Sequence, residues 1–235
     1  MQEAAKNDYC DKCGHTGWLL DRKTNVAKRC VCTKENISSI RLGRADIPRR
    51  YFNCTLDNYD VMENKSYIPA LKASRDFVKR FPKVKKGILF MGPSGVGKTH
   101  LAVAILKSLI QDKGIDCLFM DFQELLRNLQ NSYQPDSELS ELKVFDPVLN
   151  TELLLLDDLG SKTATEWMRD TLAYIVNYRY NNQKISIFTT NFLDEDIIKK
   201  DYTLSDRIGV RIRSRLYEMC ERVYMDGDDF RKEFR

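Results

Sequence analysis

The segment Gly92-Pro93-Ser94-Gly95-Val96-Gly97-Lys98-Thr99 carries the spacing Gly-x-x-x-x-Gly-Lys-Thr, with the apolar run Ile88-Leu89-Phe90-Met91 before it and a helical pattern from Leu101 to Ile110 after it. Glycines at these positions let the backbone curl, so that successive N–H groups and the positive end of the following helix face an anion. Lys98 is then placed to bridge the β- and γ-phosphates of a nucleotide, and Thr99 to put its hydroxyl on Mg²⁺. Phosphoryl transfer also needs the metal held from a second side and a water oriented for attack. Leu153-Leu154-Leu155-Leu156-Asp157-Asp158 supplies the residue types for both tasks: a buried strand, Asp157 at its tip for the Mg²⁺ shell, and Asp158 to polarise the water.

Three further groups fit the same chemistry. The apolar run Ile185 to Thr189 leads into Thr190 and Asn191, whose amide can orient a water against the γ-phosphate; an Asn after a strand also serves as an ordinary turn residue. Arg207, Arg211, Arg213 and Arg215 fall close together, and Arg211 and Arg215 share one helical face. They read either as a solvated basic face or as a source of an arginine supplied to a neighbouring subunit. Arg231 is placed to reach the γ-phosphate within its own chain.

At the other end, Cys10-x-x-Cys13 and Cys30-x-Cys32 make a four-thiolate set around a segment containing Gly14, Gly17 and Trp18. Two cysteine pairs on short turns suit a tetrahedral metal site, for which zinc is the natural occupant and an iron–sulfur cluster the alternative. His15 follows Cys13 too closely to take a cysteine's place. Trp18-Leu19-Leu20 and Asn25-Val26-Ala27 read as a small hairpin. So short a module buries little core, and metal binding would supply its folding energy. Cys54, Cys117 and Cys220 stand apart as reduced structural thiols, a pattern that disfavours disulfides.

The elements that must position these groups follow from hydrophobic period. Strands are expected at Ile88–Met91, Cys117–Asp121, Leu153–Leu156, Ile185–Thr189 and Arg222–Met225. Helices are expected at Lys98–Lys113, Gln123–Asn131, Glu166–Asn182 and in a region ending at Met219, and the rhythm breaks between Ser132 and Asn150. A further helix places Leu71, Ser74, Phe77, Val78 and Phe81 on one face and ends at Pro82. Strand–helix alternation predicts a parallel sheet covered on both faces, with ligands at the carboxyl ends of its strands. Three zones result: a cysteine module over residues 1–40, a basic connector and helix over 41–86, and a nucleotide-binding α/β domain over 87–235. The chain has 235 residues and a formal charge of +4, too small an excess to argue for a polyanionic partner by itself. Apolar runs are too short to span a bilayer and the N-terminus lacks a secretory h-region, which predicts a cytoplasmic protein without membrane contact.

Together, Ile47-Pro48-Arg49-Arg50-Tyr51, the loop Gly92 to His100, Leu156-Asp157-Asp158-Leu159-Gly160, Thr189-Thr190-Asn191 and Ser214-Arg215-Leu216 resemble the DnaC/DnaI/IstB group of AAA+ ATPases. With its cysteine head the chain looks most like the bacterial or phage replicative helicase loaders; transposase-assisting IstB-type ATPases share the core but generally lack that head. The resemblance implies an AAA+ P-loop core that binds ATP and Mg²⁺, self-associates into a spiral or ring, binds single-stranded DNA, and contacts the hexameric replicative helicase through the cysteine-bearing module. It makes Asn191 the first sensor, Arg215 the arginine finger and Arg231 the second sensor, and it adds His100 to the nucleotide loop. Two departures stand out. Asp158 occupies a position that is Glu in many members, which implies slow hydrolysis and leaves open an ATP-gated adaptor that scarcely turns over. Val210 replaces a frequent acidic residue before Arg211. Candidates for DNA contact are Lys72, Lys79, Arg127 and Lys143. Phe122 and Tyr133 have aromatic faces on which bases can stack, although their helical spacing assigns both to core packing.

Overall fold

The computed structural model describes residues 10–14, 16–21, 26–61, 64, 66–134, 136–137, 140–161, 165–194 and 203–232. His15 and Asn25 lie outside them. The chain opens with a hairpin of β1 (Trp18–Asp21) and β2 (Val26–Arg29), followed by α1 (Val31–Arg44), a 3-10 turn at Arg49–Tyr51 and α2 (Tyr67–Arg80). The repeating unit begins with β3 (Gly87–Met91) and α3 (Lys98–Lys113), then β4 (Cys117–Asp121), α4 (Phe122–Ser132) and α5 (Glu141–Asn150). It ends with β5 (Leu153–Leu159), α6 (Glu166–Asn181), β6 (Ile185–Thr190), α7 (Leu204–Ile208), α8 (Val210–Met219) and β7 (Cys220–Tyr224).

β3 to β7 form one parallel five-stranded sheet in the order β4-β5-β6-β3-β7. Because both faces are covered, the central strands read as unbroken apolar runs, and alternate residues feed two separate cores. Ile88, Phe90, Leu153, Leu155 and Ile187 join the core that contains α2 and α3, while Leu89, Met91, Leu154, Leu156 and Phe188 join the one that contains α4, α5, α6 and α8.

α3 is apolar around most of its girth, as a helix packed between sheet and helices must be. Glycine stops it at both ends: Gly97 at the N-cap (φ 89°) and Gly114 at the C-cap (φ 62°), where the Gly114 and Ile115 N–H groups return to Ile110 and Leu109. Polar side chains start α4, α5, α6 and α7, whereas α8 follows Gly209 without a side-chain cap. Asp121, Thr165 and Thr203 accept from the backbone N–H three residues on in α4, α6 and α7. Ser140 does the same for α5, the element at which the sequence rhythm breaks; its Pro147 sits one turn before the end. Arg179 of α6 is fully buried, and its guanidinium donates to Ser186 Oγ and to the carbonyls of Val148, Leu149, Thr151 and Ile185, tying the end of α5 to the start of β6.

The stretch expected to be a connector is part of the packed domain. Ala45, Ile47, Cys54, Leu56, Tyr59, Tyr67, Ala70 and Phe77 enter the core around α3. Lys107 of α3 donates to the Phe52 and Cys54 carbonyls, and the Phe119 N–H of β4 to the Ala45 carbonyl. α2 ends at Arg80, ahead of Pro82, and buries Ser74 and Phe77 as its period predicts. The boundary at 86 is therefore a change of sequence pattern and not a break in packing. Residues 203–219 fold as two helices separated by Gly209 (φ 90°).

Candidate nucleotide site and cysteine cluster

The loop between β3 and α3 leaves the sheet where β6 separates β3 from β5, and the strand ends here frame a cleft of about 370 Å³. Its lining includes Ser94, Gly95, Gly97, Lys98, Thr99, Asp157, Asp158, Asn191 and Arg231. Loop shape is enforced by close contacts. A Cβ on Gly92 (φ 148°) would strike the Met225 carbonyl, and one on Gly97 would strike the Tyr59 ring. Tyr59 also donates its hydroxyl to the Val96 carbonyl at 3.0 Å, so a residue far upstream in sequence clamps the loop. Val96 is buried and Pro93 exposed.

Lys98 is mostly buried and donates to the Gly92 and Pro93 carbonyls at 2.8 and 2.6 Å. Burial pulls its ammonium down to about 8, opposed by the charges of Asp157 and Asp158. Thr99 Oγ1 donates to both Asp157 oxygens, at 2.9 and 3.2 Å. Asp157 is not at the strand tip, as the sequence suggests, but inside a longer β5 and 6% exposed. Burial raises its pKa to about 6, against the hydrogen bonds from Thr189 and Thr99.

Neighbouring residues of a regular strand point to opposite faces, so two successive aspartates lining one cleft require a break in the pleat. β5 supplies it: the register with β6 shifts between Leu156 and Leu159, and Asp158 adopts φ 59°. Asp is among the residues that tolerate this left-handed region. Asp158 N–H donates to Thr189 Oγ1 (2.9 Å), Thr189 Oγ1 donates to Asp157 Oδ1 (2.6 Å), and Asn191 Nδ2 donates to Asp158 Oδ1 (2.9 Å). Thr189 thus orients both aspartates, a role its sequence position gives no sign of. A hydroxyl and a carboxylate set side by side are the hard oxygen donors that Mg²⁺ takes, so Thr99 and Asp157 fit that ion.

Arg231 donates to Ser94 Oγ at 3.1 Å. Arg215 lies away from the cleft, where its guanidinium bonds Asn177 and lies over the Tyr180 ring. Arg213 is paired with Asp194, Arg207 stacks on Phe192, and Val210 is exposed. His100 lines the cleft, but its Nε2 is engaged by the Thr55 carbonyl (3.0 Å) and Asn58 Oδ1 (3.1 Å). Arg50, Tyr51 and Asp121 also line the cleft without being anticipated. Asp121 carries a readable signal, since it ends a strand as Asp157 nearly does and pairs with it in register; Arg50 and Tyr51 sit in a short turn with no period to place them.

The four DNA candidates separate. Lys72 and Lys79 are on α2, on one side of the sheet, and Arg127 and Lys143 on α4 and α5, on the other. Phe122 is buried as expected, but Tyr133 is 55% exposed, because α4 ends at Ser132 and leaves the ring beyond the packed face; its hydroxyl donates to Glu141.

In the head, the sulfur atoms of Cys10, Cys13, Cys30 and Cys32 all lie within 4.8 Å of one another. Cys10 and Cys30 sulfurs are 3.7 Å apart, and those of Cys13 and Cys32 3.4 Å. A tetrahedral Zn–S₄ site with bonds of about 2.3 Å has edges of about 3.8 Å, so the donor set fits zinc. The Cys10 carbonyl accepts from the Cys13 and Gly14 N–H groups, forming one knuckle, and the other is the N-terminus of α1, with Cys30 as its N-cap. Trp18, Leu20 and Val26 of the hairpin are exposed. Among the described residues, no helix is long and apolar enough to cross a membrane.

Known proteins share the sequence pattern and the fold. The family model described as IstB-like ATP binding protein matches residues 45–235. The replicative helicase loader DnaC of Buchnera aphidicola (Acyrthosiphon pisum) is 29% identical over 172 residues, covering 73% of this chain and 68% of that protein. The replicative helicase loader DnaI of Bacillus subtilis is 29% identical over 194 residues, covering 79% of this chain and 60% of its own length. A crystal structure of the DnaC helicase loader superposes with a TM-score of 0.66 and 40% identity, covering 76% of this chain and 99% of that one. The chain thus spans roughly two thirds or less of the curated relatives named here.

Proposed function

The chain belongs to the family of IstB-like ATP-binding proteins, and on that premise we propose that it is an ATP-hydrolysing helicase loader, acting on a hexameric replicative helicase and on single-stranded DNA during replication. The observation that carries the ATPase reading is the convergence, in one cleft with Lys98, of the Thr99–Asp157 pair and the Asp158–Asn191 pair. Lys98 exchanges two backbone carbonyls for the β- and γ-phosphates. Thr99 and Asp157 would hold Mg²⁺, which would supply neutralisation of charge on the phosphates. Asp158, fixed by Asn191 and by its own N–H on Thr189, accepts a hydrogen bond from the attacking water and aligns it with the γ-phosphorus. The loop N–H groups of residues 94–99 cradle the triphosphate, and Arg231 meets the γ-phosphate from beside Ser94.

Arg215, outside its own cleft, is assigned to the cleft of a neighbouring copy, which makes the assembled spiral or ring the active form. Cys10, Cys13, Cys30 and Cys32 would hold a structural zinc, which would fix the hairpin and the start of α1 as a docking module for the helicase. The relatives named as helicase loaders support loading over transposase assistance, as does the cysteine head. Single-turnover hydrolysis of ATP with and without single-stranded DNA tests the enzymatic part. Turnover that disappears in Asp158→Asn, with ATP still bound, is expected; tight ATP binding without turnover in the unaltered protein would make it an adaptor.

A further inference from the structure

The segment after β7 folds back over the phosphate loop. Asp226 is tied to the start of α2, its N–H donating to Ser66 Oγ (3.0 Å) and its carbonyl accepting from Asn64 Nδ2 (2.7 Å) and Ser66 Oγ (2.8 Å). From that anchor the chain crosses the loop, and the Phe230 N–H approaches the Gly95 carbonyl at 3.4 Å. Asp229 lies directly on Gly95: a Cβ there would run into its carboxylate and its backbone. The same carboxylate accepts from the Arg231 backbone N–H (3.1 Å) and pairs with the Arg231 guanidinium (3.4 Å), while that guanidinium also donates to Ser94 Oγ. Asp229 is 25% exposed and Arg231 62%. An acid is therefore held against the anion-binding loop, on the arginine beside it.

We propose that Asp229 is a specificity-determining residue of the nucleotide site: an internal counter-anion of Arg231 that the γ-phosphate must displace, so that it sets how strongly the chain prefers ATP to ADP. The inference rests on the reading that Arg231 meets the γ-phosphate. A guanidinium already paired with a carboxylate gains less from a phosphate than a free one. Asp229 thus opposes the nucleotide that carries the third phosphate, and it acts through Arg231 without touching the reacting atoms. Its anchored neighbours keep it at Gly95, where the glycine leaves it room.

The test uses the full-length protein with Mg²⁺ and isothermal titration of two probes, ADP and the β,γ-methylene analogue of ATP. Asp229→Asn should tighten binding of the analogue about two- to fivefold, the span of a partly exposed ion pair, and leave ADP affinity unchanged. Asp229→Ser, which also removes the charge, should do the same, and Asp229→Glu should restore the original preference. In an Arg231→Ala background the gain should vanish. Unchanged or weaker analogue binding, an equal gain for both nucleotides, or a gain that persists without Arg231 would each overturn the proposal. Arg231→Ala alone reports separately on the underlying reading: if it leaves the analogue-to-ADP ratio untouched, Arg231 does not meet the γ-phosphate.

Discussion

Thr189→Val is the sharpest test of how the two aspartates are held. Valine matches threonine in shape, and position 189 is 2% exposed, so packing is kept while one hydroxyl is lost. Two hydrogen bonds go with it: the 2.6 Å donation to Asp157 Oδ1 and the 2.9 Å acceptance from Asp158 N–H. A bond to a charged partner is worth about 1.5–3 kcal/mol, and an N–H left unpaired away from water costs about 1–3 kcal/mol. Partial relaxation at half-buried Asp158 places the sum near the low end, at about 3 kcal/mol. Urea unfolding of the chain without nucleotide should show that loss. Steady-state ATPase should show both a higher Mg²⁺ requirement and a lower kcat, because the same hydroxyl orients Asp157, proposed to hold the metal, and the backbone of Asp158, proposed to orient the water. Thr189→Ser, which keeps the hydroxyl, should recover most of both. A Val variant within about 1 kcal/mol of the original and with unchanged turnover would refute the idea that Thr189 organises the site.

Lys98→Ala should abolish tight ATP binding and hydrolysis together, whereas Arg215→Ala should keep ATP binding and lose only assembly-dependent hydrolysis; identical behaviour of the two in binding and turnover assays would contradict a finger acting between subunits. Removing metal from the cysteine cluster should abolish amide-exchange protection in β1, β2 and the first turn of α1. Protection should survive from Ser38 onward, where Ser38 Oγ contacts the Ile110 carbonyl and Ala45 is bonded to Phe119; an unchanged head after verified metal release would sink the zinc reading. The double change Arg127→Ala and Lys143→Ala should lower the salt slope of single-stranded DNA binding by about 1.4, from about 0.7 per phosphate contact. Lys72→Ala with Lys79→Ala, on the opposite side of the sheet, should leave that slope in place. The reverse pattern would put DNA against α2.

What sequence reveals here follows how local each constraint is. The loop from Gly92 to Thr99 is legible because its glycines and lysine act through their own backbone and helix. β3, β4, β5 and β6 are legible because burial on both faces writes itself as apolar runs, whereas the edge strand β7 exposes Glu221 and Arg222 and starts at Cys220, two residues before the expected Arg222. Thr189 and Asp229 gain their positions from cross-strand register and from a tail folding back over the loop, and neither leaves a periodic trace. Tyr59 and the turn at Arg49–Tyr51 belong to an aperiodic segment whose buried residues, Ile47, Cys54, Leu56 and Tyr59, follow no helical or strand spacing. A basic composition therefore reads as a connector although its apolar minority is core. At Asp157 the pattern gives the wrong depth, since the bulge that turns Asp158 into the cleft lengthens the strand past both acids. Tyr133 fits the spacing of α4 but lies one residue beyond its end.

The central claim, that this ATPase loads a helicase, is tested most directly by capture. The intact protein, immobilised with Mg²⁺ and ATP, is offered purified hexameric replicative helicase and, separately, a transposase of the kind IstB-type ATPases assist. Retention of the helicase is expected, together with its loss when Cys10, Cys13, Cys30 and Cys32 are changed to Ser and no retention of the transposase. Retention of the transposase with no binding of the helicase would contradict the account.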